Sequence, residues 1–274
     1  MALGNQEKPY IWSMEDAKER FISAYEHSPH PTHKHSAYFD AYPSLLAPYV
    51  GKRVTLVEVG LFKGGSLFMW REFLGSQARI IGIDIEPAAV KWRESGFEIF
   101  IGDQDDPQFW QEFFRSVGQV DVLVDDGGHE NSQQISTVVN TIDFIRDGGL
   151  LIIEDTHCSY RKDFGNPHPF SFINFSFHLV DWINERFFGT VDKYGISSVV
   201  NSIQYFQSMV VFHVDRGKAR LSNPTSNLSA RLEDNKNPSE LQNGPTGLLR
   251  RRLVANLIII PKLFLKNFRG RKFF

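Results

Sequence analysis

Residues 54–66 read VTLVEVGLFKGGS and encode a strand, a glycine turn and the start of a helix. The run 54–59 is short, apolar and largely β-branched, which predicts a buried strand that stops at Gly60. The following residues, LFMWREFL at 67–74, predict a helix. Such a turn lets a ligand approach the backbone, and the free N–H groups of a helix start favour an anionic group. We therefore place a cofactor at this turn.

The spacing of the glycines distinguishes between cofactors. A dinucleotide fingerprint requires Gly-x-Gly-x-x-Gly, and no glycine stands two residues after Gly60. The pattern Glu58-x-Gly60-x-x-x-Gly64-Gly65-Ser66 resembles motif I of the class I S-adenosylmethionine (SAM) methyltransferases. A tight turn without a ligand is the alternative that this motif alone leaves open.

Further strand-like segments follow at regular intervals. They are Arg79–Asp84, Phe97–Ile101, Val120–Val124 and Leu150–Ile153. Helical segments separate them. One has Asp106 as its N-cap and Pro107 at its first position, and another runs from about His129 to Ile145. This alternation predicts an α/β fold with a parallel, Rossmann-like sheet, right-handed crossovers and helices on both faces.

Acids or amides end the second and third of these strands. Asp84 lies 20 residues after Gly64, where a carboxylate can accept both ribose hydroxyls of a nucleoside. Asp103 and Gln104 follow the next strand and are candidates to meet an adenine amino group. Each acid taken alone is also explained as a helix cap, but together they favour a nucleoside-containing cofactor.

Three carboxylates follow the last two parallel strands. Asp126 ends one, and Glu154 and Asp155 end the next, 28 and 29 residues later. If the strands are neighbours, about 4.8 Å apart, the carboxylates converge and repel each other unless a cation joins them. Oxygen ligands suit Mg²⁺, Mn²⁺ or Ca²⁺ rather than Zn²⁺. His129 lies one turn beyond Asp126 and can face such a metal without being a ligand.

Two motifs in this region carry a more specific resemblance. DDGGH at 125–129 and GGLLIIEDTHCSY at 148–160 resemble motifs of the Mg²⁺-dependent sugar O-methyltransferases of macrolide biosynthesis, the mycinamicin VI 2''-O-methyltransferase type. The macrocin and aminocoumarin O-methyltransferases are more distant relatives of that family. The resemblance covers roughly residues 30–213 and includes a closing hairpin at 203–211. It departs from the family at Gly128, where serine is usual.

The resemblance implies roles for individual residues. Asp126, Glu154 and Asp155 would hold Mg²⁺ or Mn²⁺, and His129 would be the general base. The sheet would be that of a class I methyltransferase, mostly parallel with a C-terminal antiparallel hairpin. Eight residues are assigned to the SAM pocket by the motif I turn, the strand ends and the resemblance together. They are Glu58, Gly60, Gly64, Ser66, Asp84, Asp103, Gln104 and Asp125.

Charge is unevenly distributed along the 274 residues. The formal net charge is −2, but residues 247–274 contain eight Lys or Arg and no acid, so 22 basic and 32 acidic side chains remain elsewhere. An acidic main domain argues against nucleic acid as its partner.

The single cysteine, Cys158, excludes an internal disulfide. We find no signal peptide and no apolar stretch long enough to span a membrane, and expect a cytoplasmic protein.

Four regions are expected along the chain. Residues 1–50 form a helical cap, 51–215 the SAM-dependent methyltransferase domain, 216–246 a polar linker, and 247–274 a basic amphipathic tail. The cap contains HSPHPTHKH at 27–35, which we interpret as a loop over the cofactor, because its prolines disrupt the helical spacing of a metal site. Tyr38 and Tyr42 are expected to pack at the sheet edge. The tail has two interpretations, peripheral contact with an anionic membrane or packing against the protein or another subunit.

We therefore predict metal-dependent methyl transfer from SAM to a sugar hydroxyl of a glycosylated natural product or cell-surface glycan. Two alternatives stay open from the sequence. One is a nucleotide-dependent, hydroxylase-like oxidoreductase on the same fold, and the other is an inactive SAM-binding module associated with a membrane. The sequence identifies neither the acceptor nor whether the chain forms a homo-oligomer.

Overall fold

One seven-stranded sheet organises the protein. The computed structural model describes residues 12–165, 169–185, 192, 194–222 and 225. The strands are β1 (Thr55–Val59), β2 (Arg79–Asp84), β3 (Glu98–Ile101), β4 (Val120–Asp125), β5 (Ile145–Ile153), β6 (Val200–Phe206) and β7 (Met209–Val214). The helices are α1 (Met14–Glu26), α2 (Tyr38–Leu46), α3 (Gly65–Leu74), α4 (Pro107–Val117), α5 (Asn131–Thr141) and α6 (Phe172–Glu185).

The strand order is β3-β2-β1-β4-β5-β7-β6. Strands β1 to β5 pair in parallel, whereas β7 runs antiparallel to both β5 and β6. The predicted sheet, mostly parallel with a C-terminal antiparallel hairpin, is confirmed. The chain moves outward from β1 to β3 and then returns to place β4 on the other side of β1. Open α/β sheets bind ligands at such a switch point, beyond the carboxyl ends of the strands.

Helices cover both faces of the sheet, and every residue of β1 is therefore buried. Successive side chains of a strand point to opposite faces. Leu56 accordingly packs in a core with Phe21 and Trp70, and Val57 in a second core with Trp110. This two-sided burial explains why the parallel strands are continuous apolar runs in the sequence.

The connection between α5 and β5 differs from the sequence-based prediction. The helix expected to reach Ile145 ends at Thr141, and β5 begins at Ile145 instead of Leu150. Val120 pairs with Ile145 and Val122 with Leu150, so the residues between them form an irregularity inside the strand. Gly148, with φ of +82°, permits that irregularity. Gly148 and Gly149 therefore lie within β5 and not in the connection before it.

The expected linker (216–246) and basic tail (247–274) fall outside the described residues, apart from residues 216–222 and 225. Within the described ranges, no helix has both the length and the apolar character needed to cross a membrane.

Candidate active site

A cavity of about 1080 Å³ opens beyond the carboxyl ends of the parallel strands. It lies at the switch point between β1 and β4, as the topology requires. Its lining combines the residues after the five parallel strands with residues 32–35 and Tyr38 of the N-terminal region. Predicted site residues that line it are Gly60, Ser66, Asp84, Asp103, Gln104, Asp126, His129, Glu154 and Asp155.

The glycine turn is held by local backbone requirements and by a buried acid. Gly60 has φ of +85°, and a Cβ there would overlap the backbone carbonyl of Asp126. Glu58 is fully buried beneath the turn, where it accepts hydrogen bonds from Ser66 Oγ at 2.5 Å and Trp70 Nε1 at 2.9 Å. Burial raises the pKa of Glu58 to about 7. Glu58 therefore supports the turn from below and does not line the cavity.

Gly64 also supports the turn without lining the cavity. It has φ of +78°, and the indole ring of Trp92 lies where a side chain would stand. Gly64 is the N-cap of α3 and adopts a left-handed backbone conformation, which glycine takes without strain.

Asp84 is the cavity-lining acid at the end of β2. Its Oδ2 accepts a hydrogen bond from the backbone N–H of Leu61 at 2.9 Å, and its Oδ1 accepts one from Glu86 at 2.9 Å. Each carboxylate oxygen has further acceptor capacity. The carboxylate is thus fixed in place and can still accept hydroxyl groups of a ligand.

Both residues after β3 line the cavity, but the side chain of Gln104 is used in internal hydrogen bonds. Gln104 donates through Nε2 to both Asp125 oxygens, at 2.9 and 3.0 Å, and accepts from Gly128 N–H at 3.1 Å. Asp125 is buried below the cavity, and this burial raises its pKa. Asp103 has one oxygen bonded to Asp105 N–H at 2.8 Å and lines the cavity. Asp103 is therefore the better placed of the two to meet a ligand amine.

Asp126, His129 and Asp155 converge, because β4 and β5 are neighbours in the sheet. One ligand atom from each lies within 4.8 Å of the other two. His129 Nε2 is 4.0 Å from Asp126 Oδ1 and 3.5 Å from Asp155 Oδ2. His129 and Asp155 have φ of +57° and +54°, left-handed values that are uncommon for residues other than glycine and that concentrate at functional sites.

Glu154 follows β5 as predicted, but its carboxylate is bound elsewhere. Its side chain is 1% exposed, and Oε1 accepts from Lys34 Nζ at 2.7 Å and from the Tyr42 hydroxyl. The convergent group among the described residues is accordingly Asp126, His129 and Asp155, without Glu154. A role for Glu154 as a metal ligand stays a prediction and would require Lys34 to move.

Lys34 is the residue that sequence reasoning missed. Its ammonium is completely buried, 2.7 Å from Asp126 Oδ2 and 3.8 Å from Glu58 Oε1, in addition to its bond to Glu154. Burial strongly opposes its charge, but the surrounding carboxylates together raise the pKa of Lys34 well above its usual value. The ammonium therefore neutralises the inner part of the carboxylate cluster.

Two tyrosines also differ from their expected place at the sheet edge. The Tyr38 hydroxyl donates to Asp155 Oδ1 at 2.8 Å, and Tyr42 bonds to Glu154. Both rings are buried, and burial raises the pKa of each phenol. They act as neutral donors that fix the two acids after β5.

The arrangement fits a hard divalent cation. Two carboxylates, of Asp126 and Asp155, face a cavity with room for the water ligands that Mg²⁺ retains. The Lys34 ammonium shows that Asp126 already accepts a cation. In addition, His129 Nδ1 is buried and has no hydrogen-bond partner among the described residues, which points to a group that is bound there.

Comparisons of the sequence with known proteins find similarity to methyltransferases. Residues 57–156 match a family model described as a methyltransferase domain. The chain is 29% identical over 134 residues to the 8-demethyl-8-alpha-L-rhamnosyl tetracenomycin-C 2'-O-methyltransferase of Streptomyces olivaceus, covering 46% of this chain and 35% of that protein. It is 32% identical over 125 residues to the mycinamicin VI 2''-O-methyltransferase of Micromonospora griseorubida, covering 43% and 31%.

The fold also matches a solved structure. The MycE methyltransferase from the mycinamycin biosynthetic pathway, in complex with Mg and SAH, superposes with a TM-score of 0.64 at 24% identity, over 75% of this chain and 56% of MycE. This likeness confirms the Rossmann-like methyltransferase fold. The chain spans about a third of the length of the curated relatives it matches. The resemblance to macrolide sugar O-methyltransferases is confirmed, and these matches lend no support to an oxidoreductase.

Proposed function

We propose that this chain is a metal-dependent O-methyltransferase that transfers the methyl group of SAM to a sugar hydroxyl. The acceptor would be a glycosylated natural product or a cell-surface glycan. The observation that carries the proposal is the convergence of Asp126, His129 and Asp155 in the cavity that Asp84 and the Gly60 turn also line. A nucleoside site and a proton-accepting site thus share one space.

The strand ends supply the SAM contacts. Asp84, fixed by two backbone N–H groups, would accept the ribose hydroxyls. Asp103 would accept from the adenine amino group. The backbone at Gly60 lets the cofactor approach β1 closely. These contacts would hold the methyl donor in a fixed orientation, which supplies much of the rate enhancement of a methyl transfer.

Asp126 and Asp155 would hold Mg²⁺ or Mn²⁺, with Glu154 as a further ligand only if Lys34 withdraws. When bound, such an ion positions the acceptor and lowers the pKa of its hydroxyl. The carboxylates themselves also lie 4.0 and 3.5 Å from His129 Nε2, close enough to stabilise a positive charge on that ring.

His129 would act as the general base. Its side chain lines the cavity, and its Nε2 lies 3.5 Å from Asp155 Oδ2. The acceptor hydroxyl would stand beside that nitrogen. The hydroxyl loses its proton to Nε2 as its oxygen forms a bond to the methyl carbon and the sulfur–methyl bond breaks. The products are the methyl ether, S-adenosylhomocysteine and a protonated His129. The imidazolium then returns its proton to solvent.

The size of the cavity is consistent with two ligands. At about 1080 Å³ it reaches the upper end of the range for a single small-molecule site, about 300–1,000 Å³. The relatives named above methylate rhamnosyl tetracenomycin-C and mycinamicin VI, both glycosylated natural products. Exposed side chains at the cavity, among them Phe62 and Ile85, offer apolar surface to an acceptor of that kind.

Substitution of Asp84 tests the cofactor assignment. Asp84→Ala is expected to weaken SAM binding roughly tenfold or more, on the order of 1.4 kcal/mol, because the ribose acceptor is lost. Calorimetric titration with SAM measures the change, and circular dichroism checks the fold. Asp163→Ala is a matched control, because this acid also lines the cavity but is exposed and paired with Arg161. Unchanged SAM affinity in Asp84→Ala would remove Asp84 from the site.

We also propose that the basic tail, residues 247–274, delivers the enzyme to anionic lipid, where a lipid-linked glycan is presented. Each of its eight Lys or Arg would contribute roughly 1 kcal/mol near such a surface, and salt screens that attraction. Truncation after Thr246 should abolish co-sedimentation with anionic vesicles and leave methylation of a small acceptor nearly unchanged. Equal binding to neutral vesicles, or unfolding on truncation, would contradict this role.

A further inference from the structure

We infer that His35, His157 and Asp155 form a second cation site that takes a late first-row divalent ion such as Zn²⁺. One ligand atom from each residue lies within 4.8 Å of the other two. His35 comes from the N-terminal segment 32–35, and the other two residues follow β5. All three line the same cavity as the proposed methyl-transfer site, and the His35 side chain is 54% exposed.

Asp155 can serve two sites because its two oxygens face different groups. Its Oδ1 lies 3.4 Å from His35 Nε2, whereas its Oδ2 lies 3.5 Å from His129 Nε2. A carboxylate can bind one cation through each oxygen, and two-metal sites in proteins hold their ions about 3.5–4 Å apart. The second site is therefore adjacent to the first without displacing it.

Hydrogen bonds orient the other ligands. His157 Nδ1 lies 2.6 Å from Ser208 Oγ, which leaves Nε2 for a metal apart from a 4.0 Å contact with Cys158 Sγ. Metal-binding histidines usually have the second ring nitrogen bonded in this way. The Tyr38 hydroxyl similarly fixes Asp155 Oδ1 at 2.8 Å. Two of the three ligands are thus pre-positioned by their neighbours.

The donor set selects the metal. Two imidazoles with one carboxylate suit zinc, cobalt or nickel, whereas the carboxylates at Asp126 suit magnesium. Tetrahedral zinc places its ligand atoms about 3.3 Å apart, and His35 Nε2 already lies 3.4 Å from Asp155 Oδ1. The exposed His35 ring can supply the remaining adjustment. A bound ion would tie segment 32–35 to the turn after β5 and close this side of the cavity.

Cobalt titration of the full-length chain tests the inference, with Mg²⁺ in excess to occupy the oxygen-ligand site. Co²⁺ bound to imidazole gives visible absorption bands, and Zn²⁺ should displace it. We expect His35→Ala and His157→Ala each to weaken Co²⁺ binding at least tenfold. His33→Ala is the matched control, since His33 lies two residues from His35, lines the cavity and packs on Phe62 outside the proposed site. It should bind Co²⁺ as the wild type does.

A second control separates the two sites. Asp126→Asn alters the other group of convergent ligands and is expected to leave Co²⁺ binding unchanged. Loss of Co²⁺ binding in Asp126→Asn would place the ion at that group and overturn the inference, as would wild-type binding in His35→Ala. If His157→Ala does not fold, His157→Gln and the exposed His35→Ala decide the question. The readout is metal binding, so its outcome does not depend on the proposed methyl transfer.

Discussion

Replacement of His129 by asparagine is expected to slow methyl transfer about 10²–10⁴-fold, the usual contribution of a general base. Asparagine suits this position because His129 has φ of +57°, and Asn adopts the left-handed region more readily than most residues. It cannot take the proton of the acceptor. The rate of product formation at saturating SAM and Mg²⁺ measures the effect.

The controls for His129 separate chemistry from binding. SAM affinity of His129→Asn should match that of the wild type, because the ribose contact lies at Asp84 on another strand. His27→Ala, at the exposed end of α1, should retain full activity. Added imidazole should restore part of the activity of His129→Gly, since glycine accepts this backbone and leaves room for the ring. A His129→Asn enzyme with wild-type turnover would exclude the general-base role.

Replacement of Lys34 by methionine is expected to lower the free energy of unfolding by about 3–5 kcal/mol at neutral pH. The Lys34 side chain is completely buried against Asp126, Glu154 and Glu58, and its removal leaves those carboxylates without their counter-ion. Denaturant unfolding of the metal-free protein measures the loss. Mg²⁺ should stabilise Lys34→Met more than the wild type, because the ion can neutralise the carboxylates that have lost their counter-ion.

Lys18→Met is the matched control for this effect. The Lys18 ammonium bonds to Asp40 at 2.6 Å, but both side chains are exposed, so its loss should cost less than about 1 kcal/mol. The defect of Lys34→Met should shrink on acidification. Carboxyls that lose a counter-ion have raised pKa values in the folded state, so their destabilising effect appears as the pH rises and is absent when both states are protonated. Equal stability of the two variants would show that the Lys34 ion pairs are energetically neutral.

The fold was predictable because it depends on local patterns. Strand β1 is a short apolar run that stops at a glycine, and Asp106-Pro107 marks the start of α4. Parallel strands buried on both faces must be apolar throughout, so their number and order along the chain are visible in the sequence. The acids that follow the strands could be predicted for the same reason, because a polar residue directly after such an apolar run lies at the carboxyl end of the strand.

The details of the site were less predictable, because they depend on contacts between distant residues. Lys34 and Glu154 are 120 positions apart, and no local pattern indicates that one binds the other. That contact turns Glu154 away from the group formed by Asp126, His129 and Asp155. Glu58 likewise fits motif I but is used by Ser66 and Trp70 beneath the turn. Sequence motifs thus located the acids but not the partners of their side chains.

Transfer of an isotopically labelled methyl group from SAM is the most direct test of the proposed activity. Rhamnosides and macrolide glycosides would be offered as acceptors, with Mg²⁺ in one arm and excess EDTA in the other, and the products analysed by mass spectrometry. We expect one labelled methyl group on a sugar hydroxyl with Mg²⁺, its loss with EDTA, its recovery when Mg²⁺ is restored, and SAM binding in every arm. Transfer that continues unchanged in excess EDTA, or a protein that does not bind SAM, would contradict the proposed function.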